Sequence, residues 1–390
     1  MTKEEYLALF DRGVKRKNTG CAKWDALQDT YGRSDITPLW VADMDFPSPR
    51  EVTDALIARA KEGVFGYPME DPALKEAVCG WMHKRHGLTI APEMVLSSAG
   101  VVDSLALAVN AFTQPGDLVA IQPPVYGPFA KSVENAGRTV YRNALRQTDA
   151  GWQMDLDNLE AGLRQGVKLL LLCSPHNPVG RVWTEEELRK LSALCARYGV
   201  KIVADEIHAD FEMPGYHHTP MLTIDPNAVA FVSSTKTFNL AGLRNSSMLF
   251  GNAEDKAKME SFMRGVGIGE INLFGMLAQT AAYRHGEAWL DALLEYLDGT
   301  RALVEKTIAE RMPRAKVSRL EGTYLMWLDL RAYGLTQEEI RRKLVFEAAA
   351  ALNDGTAFGA EGEGFARMNI AAPRASVLAA LERIADAFEK

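Results

Sequence analysis

Residues 231–244 read Phe-Val-Ser-Ser-Thr-Lys-Thr-Phe-Asn-Leu-Ala-Gly-Leu-Arg. A short β-prone run over residues 228–232 leads into three hydroxyl residues, Ser233, Ser234 and Thr235, then a single lysine, Lys236, with a second cation, Arg244, further on. A lysine becomes a useful nucleophile only when its ammonium form is disfavoured by desolvation or a neighbouring cation. Arg244 stays charged at any working pH, and its planar fork can hold a phosphate to which the hydroxyls also bond. The segment reads as an anion cradle with one amine beside it, an arrangement suited to a Schiff base. An ordinary loop lysine followed by a surface arginine fits these residues too, so the decision rests on what the rest of the chain supplies.

The strands before it supply the most. Residues 167–173 form a buried-type apolar strand that leaves as Ser-Pro-His-Asn-Pro-Val-Gly, residues 174–180. Thr184 with Glu187 makes a capping box for the next helix, which Gly199 ends. A strand over 200–204 stops at Asp205-Glu206, and the run 228–232 stops at the lysine segment. Asn177, Asp205 and Lys236 therefore each follow the end of a successive strand in a β-α-β alternation. In an open parallel sheet those ends share one edge, where ligands bind.

Upstream, a strand within 94–102 runs into Ser97-Ser98-Ala99-Gly100 and an apolar helix reaching about Phe112; small residues opening a helix leave backbone N–H groups that favour a phosphate. Many helices begin after glycine, so this signal is weak by itself. A strand over 118–121 is stopped by Pro123-Pro124, with Tyr126 just beyond. A helix over 128–136 and a strand over 139–142 continue the alternation, residues 147–154 read as a polar turn, and 157–164 as a helix. Residues 63–71 are a turn-rich break that presents Tyr67 beside Pro68, before a helix over 72–85. Residues 18–25 and 38–49 form an irregular, aromatic-rich entry in which Trp40, Asp43 and Asp45 lie in a loop; each fits a packed N-terminal arm as well as a site.

The C-terminal part has a different rhythm: a long helix from 287 toward 311, an alternating strand over 324–330, a charged helix over 336–347, a strand around Arg367 and a last helix from Ser376. The expected division is an arm (1–49) that joins the small domain, a large domain (50–285) and a small domain (286–390).

Composition excludes several classes. At 390 residues the chain can bury a large core. Its net charge of -7 and absence of basic tracts argue against a polyanion partner. The N-terminus lacks the apolar core of a signal peptide, and no run approaches membrane-spanning length. Cys21, Cys79, Cys173 and Cys195 are scattered without metal spacing, as expected of reduced cytoplasmic thiols. His217-His218 reads as a polar loop rather than a ligand set, and no metal is expected.

Four motifs carry a resemblance: Trp-Val-Ala-Asp-Met-Asp-Phe (40–46), Pro-His-Asn-Pro-Val-Gly (175–180), Asp-Glu-Ile-His-Ala-Asp (205–210) and Lys-Thr-Phe-Asn-Leu-Ala-Gly-Leu (236–243). In this order they resemble fold-type I pyridoxal phosphate enzymes of the class I/II aminotransferase superfamily, and more closely their MalY/PatB-type cystathionine β-lyase branch. The resemblance implies an aspartate aminotransferase-like PLP-dependent transferase fold, with a mostly parallel sheet in a three-layer large domain and a small α/β domain. It implies that Lys236 carries pyridoxal 5'-phosphate and moves the reacting proton, that Asp205 pairs with the ring nitrogen, and that Asn177 bonds the ring hydroxyl. Tyr126 stacks on the ring; Ser233, Thr235, Arg244 and the backbone of Val101 and Val102 hold the phosphate. Tyr67 reaches the phosphate of a neighbouring subunit, which implies a homodimer. Arg367 binds the substrate α-carboxylate, with Arg374 as a nearby competitor, and Trp40 and Ala42 border the substrate.

Where aminotransferases commonly carry a tyrosine three residues after the aspartate, this chain has His208, the habit of the lyase branch; a structural histidine would look the same. Arg244 is normal for the superfamily but not uniform in the lyase branch. The expected activity is β-elimination of L-cystathionine or related cysteine S-conjugates to pyruvate, ammonia and a thiol. An aminotransferase is the alternative within the superfamily, and a PLP-binding regulator acting through a protein partner is the alternative of another class.

Overall fold

The structure is a computed structural model and describes residues 1–69, 71–269 and 272–390. Its large sheet contains β1 (Val95–Ser98), β2 (Leu118–Ile121), β3 (Thr139–Arg142), β4 (Val167–Cys173), β5 (Lys201–Asp205), β6 (Val229–Val232) and β7 (Ser246–Phe250), in the order β1-β7-β6-β5-β4-β2-β3. β7 runs antiparallel to both its neighbours, while the remaining pairs are parallel. Why residues 169–173 of β4 are an unbroken apolar run is visible in their packing. Leu169 and Leu171 join one core cluster with Val203, Phe231 and Met248, whereas Leu170 and Leu172 join a second with Ile202, Ala204 and Val232. Both faces of the sheet are covered, so alternation with polar residues is absent. Among the covering helices are α1 (Arg50–Lys61), α2 (Pro72–His86), α3 (Val101–Phe112), α4 (Glu185–Arg197) and α5 (Leu273–His285). The capping box of α4 forms as the sequence indicates, with the Glu187 N–H donating to Thr184 Oγ1 and Glu187 Oε2 accepting from the Thr184 N–H.

A second, antiparallel sheet contains β8 (Lys316–Val317), β9 (Leu325–Asp329), β10 (Asn353–Asp354) and β11 (Phe365–Asn369), ordered β8-β9-β11-β10. Helices α6 (Glu287–Arg311) and α7 (Arg374–Glu389) pack beside each other in the same part of the chain. The N-terminal arm adds a two-residue parallel pairing, Thr37–Pro38 with Ala350–Ala351.

Residues 147–154 depart from the expected turn. Arg146–Thr148 and Gly151–Gln153 form a two-stranded hairpin, and its polar side chains face solvent while Trp152 alone turns inward, its indole N–H donating to Ser318 Oγ. With one apolar residue to bury, the strand pattern was too short to read. The charged helix begins at Gln337 and continues as a π-helical turn over Lys343–Glu347, and the last helix begins at Arg374, just after Pro373.

The loop over residues 39–46 is fastened from both sheets. From the second, Asn369 Nδ2 donates to the Val41 carbonyl at 2.6 Å and the Asp43 carbonyl at 2.7 Å. From the turn after β6, Asn239 accepts from the Met44 N–H at 3.0 Å and donates to the Met44 and Phe46 carbonyls at 2.9 and 2.8 Å. Asn239 holds a left-handed backbone, φ 60°, which asparagine tolerates better than most residues. Beneath the loop, the wholly buried Lys23 ammonium meets Asp45 at 3.0 Å, and Arg16 pairs with Asp43 at 2.6 Å. Replacing Asn239 by Ala removes three hydrogen bonds, and should lower unfolding free energy by about 2–4 kcal/mol, read as a lower urea midpoint at unchanged slope.

Candidate active site

At the ends of β4, β5 and β6 the side chains of Asn177, Asp205 and Lys236 are all buried or nearly so. Lys236 lies in a four-residue helical turn, Ser234–Thr237, and its ammonium donates to the Ala42 carbonyl at 2.6 Å. Burial and the charge of Arg367 push the amine down to about 8, against the pull of Asp43 and Asp205. Asp205 accepts one hydrogen bond, from the Ile207 N–H at 3.1 Å. Burial pushes its carboxyl up to about 7, outweighing that bond and the Lys236 charge. A carboxyl and an amine that are both perturbed by burial and influence each other's charge mark a candidate functional site.

Arg367 on β11 crosses from the second sheet to the first. Its guanidinium donates to Asn177 Oδ1 at 3.0 Å, the Trp40 carbonyl at 2.8 Å and Asn353 Oδ1 at 2.5 Å, and stacks over the Phe358 ring at 4.8 Å. Burial lowers it to about 10, so it remains cationic at neutral pH. Arg374 is placed otherwise: it bonds Thr300 Oγ1 and the Tyr296 carbonyl on α6, and is thereby occupied in joining α7 to α6. His208 is buried and, through burial and the charges of Lys236 and Arg367, held well below its ordinary range, so its ring is neutral. It meets the Tyr324 ring edge-on at 5.9 Å.

The residues expected to hold a phosphate come from the start of α3, the Lys236 turn and the segment that follows it. Val101 and Val102 open α3 after Gly100, which has no side chain to cap their N–H groups. Ser233 Oγ lies 2.7 Å from Thr235 Oγ1 and donates to the Asn245 carbonyl at 2.6 Å. Arg244 has a left-handed backbone, φ 46°, and pairs with Asp103 of the first turn of α3 at 3.0 Å. Tyr126 keeps its backbone against Asn177, its N–H donating to the Asn177 carbonyl at 3.2 Å, while its ring is partly open to solvent. Trp40 presents its carbonyl to Arg367, while its indole N–H donates to the Lys23 carbonyl and its ring packs on Tyr31. Tyr67 is apart from these: it is 91 % exposed, in a stretch with exposed Val64, Phe65 and Met69.

The family model described as Aminotransferase class I and II matches residues 34–384. The chain belongs to this family. It is 40% identical over 380 residues to the cystathionine beta-lyase PatB of Bacillus subtilis, covering 96% of this chain and 98% of that protein. Among solved structures, a PLP-bound putative aminotransferase from Clostridium difficile matches with a TM-score of 0.95 and 38% identity, covering 97% of this chain and 99% of that one. Cystalysin from Treponema denticola, whose structure contains a pyridoxal 5'-phosphate cofactor, matches with a TM-score of 0.94 and 33% identity over 97% of this chain and 98% of its own. The aminotransferase-like fold expected from the motifs is thus shown.

Several residues of this site were not singled out from the sequence. Tyr324 donates from its hydroxyl to the Ala42 carbonyl at 3.0 Å, sharing that acceptor with Lys236, and Asn353 adds a third acceptor for Arg367. Neither sits in a motif; both arrive from the second sheet. The His217-His218 pair splits: His217 is exposed, while His218 is buried with Nε2 3.4 Å from Glu206 Oε2. Among the described residues no histidine, cysteine and carboxylate group is arranged to hold a metal ion.

Because Asp205 has a raised carboxyl, the folded state binds its proton more tightly than the unfolded chain does. Stability is therefore lost as pH rises from the ordinary carboxylate range toward about 7. Asp205→Asn should raise the stability of the cofactor-free chain at pH 8 by about 1–3 kcal/mol while removing activity, and thermal melts at pH 4.5 and 8 check the sign.

Proposed function

We propose that this chain is a pyridoxal 5'-phosphate-dependent carbon-sulfur lyase, which converts L-cystathionine or related cysteine S-conjugates to pyruvate, ammonia and a thiol. The observation that carries the reading is the half-buried Lys236, its amine held to a lowered proton affinity, with the buried Asp205 carboxyl at the same sheet edge and His208 three residues after that aspartate.

The residues present fit that cofactor. Buried polar atoms without hydrogen-bond partners include Arg367 Nε, His208 Nδ1 and Ser174 Oγ, on or next to residues assigned to the site; such atoms cost free energy unless a ligand or water meets them. Bound there, the cofactor would supply an electron sink for the pair left on the substrate α-carbon. Asp205 would keep a proton on the ring nitrogen, Asn177 would donate to the ring hydroxyl, and Tyr126 would cover the ring face. Ser233, Thr235, Arg244 and the N–H groups of Val101 and Val102 would hold the phosphate. Lys236 would hold the cofactor covalently and, once the substrate's own amine had displaced it, would be free to take the α-carbon proton, which its lowered proton affinity allows near neutral pH. Arg367 would receive the α-carboxylate between Trp40 and Asn177, and Ala42 would present its carbonyl to the amine. A neutral His208, in place of a phenol hydroxyl, favours loss of the β-thiolate over completed amino transfer.

The aminotransferase reading remains the alternative, because both reactions begin by removing the same proton. A division into an arm (1–49), a cofactor domain (50–285) and a small domain (286–390) accounts for the two sheets and for the pairing of Thr37–Pro38 with Ala350–Ala351. The four cysteines are unbonded, which suits a reducing cytoplasm, and no helix among the described residues is long and apolar enough to cross a membrane. A homodimer in which Tyr67 serves the neighbouring subunit's phosphate site gives a role to the exposed Val64, Phe65, Tyr67 and Met69.

Pyruvate release from L-cystathionine should exceed amino transfer from aspartate, alanine or an aromatic amino acid to 2-oxoglutarate by at least about tenfold at saturating cofactor; the reverse ranking makes the chain an aminotransferase. In Lys236→Ala, borohydride should no longer fix cofactor mass to the protein, and turnover should be lost. Mixing inactive Lys236→Ala chains with an inactive Tyr67→Phe variant should restore one working site per hybrid dimer. A fully active monomer would contradict the shared site.

A further inference from the structure

Behind the turn that carries Lys236 lies a buried polar cluster to which none of the roles above refers. Asp210, five residues beyond Asp205, accepts hydrogen bonds from Trp81 Nε1 at 2.9 Å, His86 Nε2 at 2.9 Å and Thr237 Oγ1 at 2.6 Å. Trp81 and His86 belong to the last turns of α2, and Thr237 is the residue after Lys236. The Asp210 and His86 side chains are 6% and 1% exposed. Burial alone would strip the His86 proton, but the bonds and charges of Asp210 and Glu212 outweigh it and hold the ring at about 9. Burial likewise opposes ionisation of Asp210, yet the bonds from His86, Thr237 and Trp81 keep its carboxyl below the usual range. The pair is therefore an ion pair throughout the neutral range.

The charged and titratable groups that face it are Glu212, 3.8 Å from His86 Nδ1; His218, whose ring meets that of His86 at 5.5 Å and whose N–H donates to Glu212; Glu206 beyond His218; Arg85 on α2; and Tyr283 on α5. A buried ion pair is poor evidence for stability, because apolar residues of the same volume would do as well or better. What this pair does have is a geometric consequence. Asp210 spends one carboxylate oxygen on α2 and the other on Thr237, so it ties α2, the segment after Asp205 and the Lys236 turn to one point.

We propose that the buried His86–Asp210 pair positions Lys236: by fixing the Thr237 hydroxyl, it holds the turn Ser234–Thr237 against the end of α2, and so keeps the amine in its desolvated place against the Ala42 carbonyl. The proposal rests on the reading of Lys236 as the reactive amine, but its test needs neither cofactor nor substrate. His86, Asp210 and Thr237 are positioning residues; none of them touches the reacting atoms.

The test is pH-dependent amine labelling of the full-length, cofactor-free chain with acetic anhydride, quantified by mass spectrometry at Lys236 and at the surface residue Lys190. Thr237→Val keeps the shape and removes the hydroxyl. It should raise the proton affinity of Lys236 by at least about threefold, roughly half a pH unit in the labelling midpoint, and leave Lys190 unchanged. In the cofactor-loaded enzyme the same variant should lower kcat about tenfold with KM within about threefold. Thr237→Ser should restore both readouts. Asp210→Asn should act in the same direction, and its effect should not add to that of Thr237→Val. Should Asp210→Asn fail to fold, Thr237→Val decides alone. A folded Thr237→Val chain with an unchanged Lys236 midpoint, or one that Thr237→Ser fails to rescue, overturns the proposal. Loss of the proposed reaction in the unmodified chain would count against the lyase reading and leave this labelling result standing.

Discussion

Taking the Lys236 amine out of water is the constraint on which the site depends. An ammonium in a dry place must find acceptors or give up its proton, and here it meets one carbonyl, Ala42, while Arg367 discourages its charge. That balance leaves the amine near the point where it can lose or regain a proton at neutral pH. It holds only if the Ala42 carbonyl stays put, and the fastening of residues 39–46 by Asn239 and Asn369 serves that end. The buried Lys23 with Asp45, and Arg16 with Asp43, then neutralise the charges the loop brings with it.

Arg367 is the second point at which the two sheets depend on each other. Its guanidinium is buried from the second sheet among acceptors from the first sheet, the arm and its own sheet, namely Asn177, the Trp40 carbonyl and Asn353. A planar fork suits this position because several donors can be satisfied at once without a compact, strongly hydrated charge. Several strongly perturbed groups lie near it: Asp205, His208, Lys236 and Tyr324 all owe part of their state to burial in the same region. Such a concentration costs stability and is the expected signature of a site kept for chemistry.

The strand ends, the lysine turn and the helix opened by Gly100 were legible in the sequence because each rests on local physics: apolar runs of strand length, hydroxyls before a lysine, small residues before a helix. The 146–153 hairpin was not, since one buried tryptophan does not make a pattern, and the starts of the last two helices moved by a residue or two with their caps. His217 and His218 show the limit within two residues. Composition made them one polar loop, whereas the chain turns between an exposed ring and a buried one beside Glu206.

By itself the sequence determined the α/β alternation, the three residues that follow successive strands, and the family through motifs in a fixed order, because these depend on spacing along the chain. The resemblance put Arg367 at the site with Arg374 as competitor, and the tertiary structure shows how differently the two are placed. Arg367 and Arg374 are seven residues apart and look alike as sequence, yet one reaches Asn177 and the other joins α6. Only the tertiary structure brought Tyr324 to the Ala42 carbonyl, Asn353 to Arg367 and His86 to Asp210. The physical reason is that hydrogen bonds and desolvation act through space, between groups that local sequence keeps far apart, and their partners are fixed only when both sheets are packed.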